Sequence, residues 1–290
     1  MVSRATELRT LIDRPQTLIV PGGGSPLDLI LAEQAGFEAL YISGYAVSAS
    51  RYGLPDIGLI GYAEIEHMAR SARDVTRTPL IVDCDTGYGD VANVRRTVRG
   101  LESLAVAAVQ IEDQVWPKRC GHLDGKVVEP KEVAIRKVAA AVSARASDET
   151  VIIARTDALG PQGLDEALAR CRLFKEAGAD VLFVDGPTSV DQLKTISTEL
   201  PGPLMVNMSE TGKTPLLPAG ELYEIGFSIV IFPSSTVRIC VHSMSQFLKF
   251  LKETGDSRAW VDKMASLSET NEILGIDNVI SFENKVKGVE

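Results

Sequence analysis

Histidine and cysteine are scarce in this chain, with three and four copies in 290 residues. Two of the histidines, His67 and His242, fall in helical patterns and only His122 lies in a loop, which leaves little material for a Ser-His-Asp hydrolase. The cysteines, Cys84, Cys120, Cys171 and Cys240, form no CxxC pair and no zinc-like cluster, so they read as free thiols in a reducing compartment. No apolar run approaches the roughly 20 residues that span a bilayer, so no membrane partner is expected. The opening MVSRATELRTLIDRP is charged throughout, without the apolar core of a signal peptide, and a cytoplasmic location is expected. Basic residues are also in deficit. With 30 Lys+Arg against 39 Asp+Glu, the net charge of -9 supplies no obvious basic face for a nucleic acid. An acidic chain that handles acidic substrates must therefore concentrate its cations locally. Lysine is absent from every β-branched run, which counts against a Schiff-base aldolase with an inward-pointing lysine.

What is present is a globular composition, 45% hydrophobic and 24% charged, arranged as a row of strand and helix units. Eight short runs recur: TLIVPG from Thr17, ALYISG from Ala39, PLIVDCD from Pro79, AVQIED from Ala108, VIIARTD from Val151, VLFVDG from Val181, LMVNMS from Leu204 and SIVIFP from Ser228. Each core is continuously apolar, as parallel strands covered on both faces require. Helical patterns separate them at Pro26 to Ala35, Tyr62 to Val75, Val91 to Leu104, Pro130 to Ala146, Leu164 to Ala177, Val190 to Glu199 and Ala219 to Ile225, with Thr236 to Lys252 after the last strand. Gly36, Gly178 and Gly226 stand where a left-handed residue would stop a helix. Eight strands alternating with eight helices predict a closed (β/α)8 TIM-type barrel over residues 1–255, followed by C-terminal helices over 256–290 that pack on a neighbouring subunit. The alternative, an open doubly wound sheet, would need a GxGxxG fingerprint, and PGGGSP at Pro21 to Pro26 does not match it.

Barrel sites of this class form at the C-terminal ends of the strands, so the polar residues that follow each apolar run are the informative ones. Here they are Ser43 and Gly44, Asp83 and Asp85, Glu112 and Asp113, Arg155 and Asp157, Asp185, and Asn207, with Asp56 in the loop after the second strand. Asp83 and Asp85 are two apart, which on a strand puts both carboxylates on one face and Cys84 on the other. Adjacent carboxylates repel unless a cation lies between them, and with Asp56 and Glu112 the ligand set is all oxygen. That suits Mg2+, or Mn2+, better than zinc; helix capping by Asp85 or Asp113 is the plainer alternative. Arg155 rises from an apolar strand and needs a carboxylate partner, from the protein or from a substrate. Cys120 sits in the loop QVWPKRCGHLDGKVV beside Lys118, Arg119 and His122, surroundings that favour a thiolate.

Six phrases together resemble the isocitrate lyase and phosphoenolpyruvate mutase superfamily over nearly the whole chain: SGYAVSASRYGLPDIG, VDCDTGYG, IEDQVWPKRCGH, IIARTDA, NMSETGKTP and ETNEILGI. The resemblance implies a barrel whose eighth helix is exchanged between subunits, a homotetramer as a dimer of dimers, and one Mg2+ per site. It implies Asp83 as the direct metal ligand, with Asp56, Asp85 and Glu112 acting through water. Ser43 and Gly44 would cradle the 2-oxo acid portion of a small dicarboxylate, with Tyr45 a further substrate contact, and Arg155 would clamp its carboxylate. Gly121, Asn207 and Glu210 are further expected substrate contacts. The KRCGH segment resembles the gating loop of the lyase branch, in which Cys120, with His122 beside it, protonates the departing carbanion. Tyr41, Tyr45 and a metal-bound water are candidates for the base. Tyr45 and VWPKRCGH resemble the alkylmalate and dimethylmalate lyases; Arg238 after FPSSTV instead resembles the methylisocitrate lyases, where it would meet an extra carboxylate. Asp185-Gly186 departs from the family's Glu-Ala. The expected activity is Mg2+-dependent cleavage of a 2-hydroxy dicarboxylate to a 2-oxo acid and a short carboxylate. Methylisocitrate cleavage, oxaloacetate hydrolysis or decarboxylation, phosphonate mutase chemistry and a catalytically silent metabolite-binding barrel are the alternatives.

Overall fold

A computed structural model describes residues 2–121, 123 and 125–288. The described chain falls into two compact units, one ending at Val237 and one beginning at Arg238. The division lies inside a helix and earlier in the chain than residue 255.

The first unit opens with α1 (Arg4–Ile12), capped by the Ser3 hydroxyl. It then alternates β1 (Leu18–Gly23), α2 (Pro26–Gln34), β2 (Leu40–Ile42), α3 (Gly44–Tyr52), α4 (Tyr62–Val75), β3 (Leu80–Asp83), α5 (Val91–Ser103), β4 (Ala108–Glu112), α6 (Lys131–Ala144) and β5 (Val151–Thr156). After these come α7 (Leu159–Gln162), α8 (Leu164–Glu176), β6 (Val181–Val184), α9 (Val190–Glu199), β7 (Leu204–Asn207), α10 (Ala219–Ile225), β8 (Ile229–Phe232) and the start of α11 (Ser235–Thr254). All eight expected strands form. They pair in sequence order, each parallel to the next, and β1 closes on β8 through Leu18 opposite Ile229 and Val20 opposite Ile231.

Closure follows from burial on both faces. Inward side chains, among them Tyr41, Ile81, Ile153, Phe183, Met205 and Ile231, fill the barrel, and Leu8, Leu11 and Ile12 of α1 join that interior cluster. Outward side chains of the same strands pack under the helices in two further clusters, one from Leu29 to Ile152 and one from Val128 to Val230. A strand buried on two sides has no polar position to spare, hence the continuous apolar runs. Gly36, Gly178 and Gly226 do take positive φ and end their helices as expected.

Three helices were not expected from the patterns: α1, α3 and the short α7. The α3 helix begins directly at the end of β2, with Ser43 as its cap accepting from the Ala46 amide at 3.3 Å. One placement also needs correcting. Asp85 is not on strand β3, which ends at Asp83; it sits beyond it with φ 45.

In the second unit, the rest of α11 is followed by a 3-10 segment (Arg258–Lys263), α12 (Leu267–Ile273) and α13 (Ile276–Lys287). Trp260 packs edge-on against Phe247, with ring centroids 5.5 Å apart. No helix among the described residues is long and apolar enough to cross a membrane.

Ile153 is fully buried at the centre of the barrel. Replacing it by Ala should cost about 2–5 kcal/mol in urea unfolding, since the close-packed interior cannot collapse onto the gap. A loss below ~1 kcal/mol would show that the interior is not close-packed there.

Candidate active site

Strand order brings the polar ends of β3, β4, β5, β6 and β7 to one mouth of the barrel. The first group is built on Asp83. Its Oδ1 accepts from Gln110 Nε2 at 3.1 Å and from the Asp85 amide at 3.3 Å. Tyr41 donates its hydroxyl to Gln110 Oε1 at 3.0 Å, so a fully buried tyrosine and glutamine fix the orientation of Asp83 from below. The positive φ of Asp85 folds the chain back, and a Cβ on Gly44 would lie 3.4 Å from both the Asp83 and the Asp85 carboxylates. Three carboxylates then face one cation. Lys118 Nζ, with its side chain 4% exposed, lies 2.5 Å from Asp56 Oδ1 and 2.9 Å from Asp85 Oδ1. Burial opposes the charge, but Asp85 and Asp56 hold the ammonium well above the usual lysine range. Burial also pushes the Asp85 carboxyl up to about 7, because Asp83 and Asp56 add to the cost of its charge while Lys118 alone offsets it.

Around Arg155 lies the second group. Its Nε and Nη2 make a two-pronged contact with Asp157 at 2.9 and 3.0 Å, Nη2 also reaches Asp185 Oδ2 at 3.0 Å, and Nε lies 3.3 Å from Glu112 Oε2. The protein itself thus supplies the carboxylate partners that a buried guanidinium requires. Burial would raise Asp157, but Arg155 and then Lys126 hold it far below the usual carboxylate range. Glu112 shows the reverse, with burial lifting it well above its ordinary value against the pull of Arg155. Asp113 caps no helix. It sits behind the group, accepting from the Thr156 hydroxyl at 2.7 Å, the Asp157 amide at 2.8 Å and Arg170 at 3.1 Å, and so fixes the end of β5.

The cysteine loop spans the two groups. The Cys120 amide donates to the Asp56 carbonyl at 3.1 Å, and Gly121 is seated so closely that a Cβ there would collide with the Asp185 carboxylate and Arg155 Nη2. Only glycine permits that approach. Gln114 braces the loop, accepting from the Arg119 amide at 3.0 Å and donating to its carbonyl at 2.8 Å. Cys84 is apolar filler, with its thiol pushed well up by burial.

Several expected residues converge here: Asp56, Asp83, Asp85, Glu112, Arg155, Gly44 and Gly121. Asn207 joins from β7, donating to Asp185 Oδ1 at 3.4 Å, and Glu210 beyond it accepts from the Ser235 hydroxyl at 2.6 Å. Ser43 is buried at the head of α3, while Tyr45 on the first turn is 37% exposed. Two expectations change. Burial, followed by the Asp83 charge, raises the Tyr41 phenol well above its ordinary value, and its proton is already given to Gln110, so Tyr41 is an orienting group and not a base. Lys118 is committed to Asp56 and Asp85 instead of being a free charge beside the Cys120 thiol. His122 lies outside the described residues, and Arg238 belongs to the second unit. Sequence reasoning passed over Gln110, Lys126 and Asp113 as partners; a glutamine in the middle of the apolar run AVQIE was the available signal for the first.

Among the described residues no three His, Cys, Asp or Glu side chains converge tightly enough to enclose an ion by themselves. A cation held directly by Asp83 and through water by the others needs no such enclosure. Asp85 Oδ1 faces Lys118, whereas the buried Glu112 Oε1 makes no hydrogen bond, as expected of an oxygen suited to a water or an ion. The all-oxygen donor set therefore fits a hard divalent cation.

Residues 8–252 match the family model described as phosphoenolpyruvate phosphomutase. The chain is 36% identical over 283 residues to 2,3-dimethylmalate lyase of Eubacterium barkeri, covering 98% of each, and 41% identical over 268 residues to 2-methylisocitrate lyase of Aeropyrum pernix, covering 92% of this chain and 86% of that one. It superposes on a crystal structure of 2,3-dimethylmalate lyase with a TM-score of 0.93 at 36% identity, covering 99% and 96%. Phosphonopyruvate hydrolase in complex with oxalate and Mg2+ matches at a TM-score of 0.88 and 29% identity, covering 97% and 98%.

Asp157→Asn leaves Arg155 and Lys126 short of a counter-charge and should cost about 3–5 kcal/mol at pH 7. An acid with a depressed folded pKa contributes stability that is present above the unfolded value and lost as pH falls toward the folded one. Urea unfolding at pH 7, 5 and 3 should therefore show the gap between wild type and variant narrowing below about pH 4; a gap that widens in acid contradicts the assignment.

Proposed function

The chain belongs to the phosphoenolpyruvate mutase/isocitrate lyase superfamily, and on that premise we propose that it is a Mg2+-dependent carbon-carbon lyase. Its substrate is a 2-hydroxy dicarboxylate of the 2-alkylmalate or dimethylmalate type, cleaved to a 2-oxo acid such as pyruvate and a short carboxylate. The observation that carries this reading is the seating of the Cys120–Gly121 segment, in which the Cys120 amide donates to the Asp56 backbone carbonyl and Gly121 is pressed against the Asp185 carboxylate and Arg155 Nη2. The backbone of the thiol-bearing residue is thereby tied to Asp56, and its neighbour Gly121 to the Arg155–Asp185 pair.

Retro-aldol cleavage requires the hydroxyl proton to leave, the carbon-carbon bond to break with its electrons passing into the departing carboxylate fragment, and a proton to be delivered to that carbon. When bound, Mg2+ would hold the substrate's hydroxyl and carboxylate oxygens and stabilise their negative charge, with Asp83 as direct ligand and Asp56, Asp85 and Glu112 through water. Arg155, oriented through Nε and Nη2 by Asp157 and Asp185, would offer Nη1 to the other carboxylate. Cys120 Sγ gives its proton to the departing carbanion, and the seated loop keeps bulk water from doing so first. Ser43 and Gly44 at the head of α3 hold the 2-oxo acid portion, where the amides of a helix N-terminus favour an anion. With Tyr41 committed to Gln110, Tyr45 is the remaining side-chain candidate for the base. A methylisocitrate-type substrate is the second reading, supported by the 41% identity to a relative of that name. Exposed Ile239, Val241, Met244, Leu248, Phe282 and Val286 in the second unit support its packing on a neighbouring subunit, which we take to be part of a homotetramer in the cytoplasm.

Cys120→Ser should lower turnover of 2,3-dimethylmalate at least ~100-fold, since a hydroxyl is a far weaker acid than a thiol. Unimpaired 2-oxo acid release by this variant removes Cys120 from the mechanism. Metal binding must also displace the proton that Asp85 holds near pH 7. Calorimetric Mg2+ affinity should weaken on acidification from pH 8 to 6, approaching about tenfold per unit below 7, and a pH-independent affinity would rule Asp85 out of the ion's surroundings.

A further inference from the structure

Loops that carry lysine normally turn it to solvent, yet Lys126 on the cysteine loop has a side chain only 5% exposed. Its Nζ lies 2.8 Å from Asp157 Oδ1, the same oxygen that accepts from Arg155 Nη2 at 3.0 Å. It also lies 3.8 Å from Asp185 Oδ2, again an oxygen that Arg155 Nη2 engages at 3.0 Å. The loop and strand β5 thus share the same two carboxylates, atom for atom. We propose that Lys126 is a positioning residue that locks the cysteine loop onto the barrel and, through Asp157, sets the orientation of Arg155.

Charge balance makes the lock specific. Asp157 and Asp185 both converge on Arg155, with Glu112 3.3 Å away, and Lys126 is the second cation brought to the two aspartates. Lifting the loop strips that cation from a buried acidic group, while seating it restores the balance, so loop position and guanidinium environment change together. The stem of the loop is closed by backbone pairing, Val115 to Val127 at 2.8 Å and Glu129 to Asp113 at 2.8 Å, with Gln114 bracing the Arg119 side. Lys118 provides the matching attachment on the far side, at Asp56 and Asp85. Between the two lysines, Gly121 has no side chain with which to hold on. Removing Lys126 would therefore take away the ionic attachment that ties the second half of the loop to Asp157 and Asp185.

The consequence for turnover rests on the lyase reading, because it takes Cys120 as the acid and Arg155 as the carboxylate clamp. The lock itself does not, and its test needs no substrate. Iodoacetamide labelling of Cys120, followed by peptide mass spectrometry on the full chain and normalised to the rate for the same peptide in urea, compares wild type, K126M and K126R. K126M should label Cys120 about tenfold faster, and K126R, which keeps the charge, should stay within about twofold of wild type. Equal rates in wild type and K126M, or K126R as fast as K126M, overturn the proposal. If K126M does not fold, K126Q, which keeps a hydrogen-bond donor without the charge, replaces it, with several-fold faster labelling expected and an unchanged rate counting against the lock. Turnover adds a second reading: kcat should fall in K126M and recover in K126R. A changed labelling rate in a protein that cleaves none of the 2-hydroxy acids leaves the lock standing and the lyase reading fallen; unchanged labelling in an active lyase does the reverse.

Discussion

Burying carboxylates side by side is the constraint on which this molecule is organised. Six acidic side chains, Asp56, Asp83, Asp85, Glu112, Asp157 and Asp185, sit at the barrel mouth, each less than a tenth exposed. A charged group out of water costs several kcal/mol unless it is paired, so their coexistence demands cations placed between them. Arg155 from a strand and Lys118 and Lys126 from a loop meet that demand. The outcome is that the loop carrying Cys120 is bound to the barrel by the same charges that prepare the mouth for a metal and an anionic substrate. An acidic chain has thus collected its cations at the place where an acidic substrate would need them.

Much of this frame was legible in the sequence because parallel strands covered on both faces leave continuous apolar runs, and all eight form where those runs lie. The polar residues at their ends were equally legible, since a barrel puts every strand terminus at one rim. What escaped has local causes. In α3 the buried positions are Gly44, Ala46, Val47 and Ser48, too small to give an apolar stripe, so the segment does not look helical. The α1 helix does carry a helical spacing at Ala5, Leu8, Leu11 and Ile12, but over only nine residues and interrupted by Glu7 and Arg9, so the apolar stripe is weak. Asp85 looked like a strand residue because its left-handed turn leaves no trace in the alternation of side chains.

Pairing was the least legible layer. Lys126 and Asp157 are 31 positions apart, Arg155 and Asp185 30, and Lys118 and Asp56 62. Such contacts are decided by how strands order themselves around the barrel, not by spacing along the chain. The same holds for Tyr41, whose phenol looked available as a base until the barrel placed Gln110 against it. Asp185 is placed by the same ordering: its carboxylate is held close to Arg155 and Asn207, directly beneath Gly121, where the loop leaves no room for a Cβ.

The account's central claim is metal-dependent cleavage of a 2-hydroxy dicarboxylate, and one assay tests it most directly. 2,3-Dimethylmalate, 2-methylisocitrate, isocitrate and oxaloacetate are offered in parallel with Mg2+, 2-oxo acid release is followed, and a chelated control is run alongside. The account predicts strong release from 2,3-dimethylmalate, or failing that from 2-methylisocitrate, abolished by chelation. Silence with every hydroxy acid, or release that survives chelation, would contradict it.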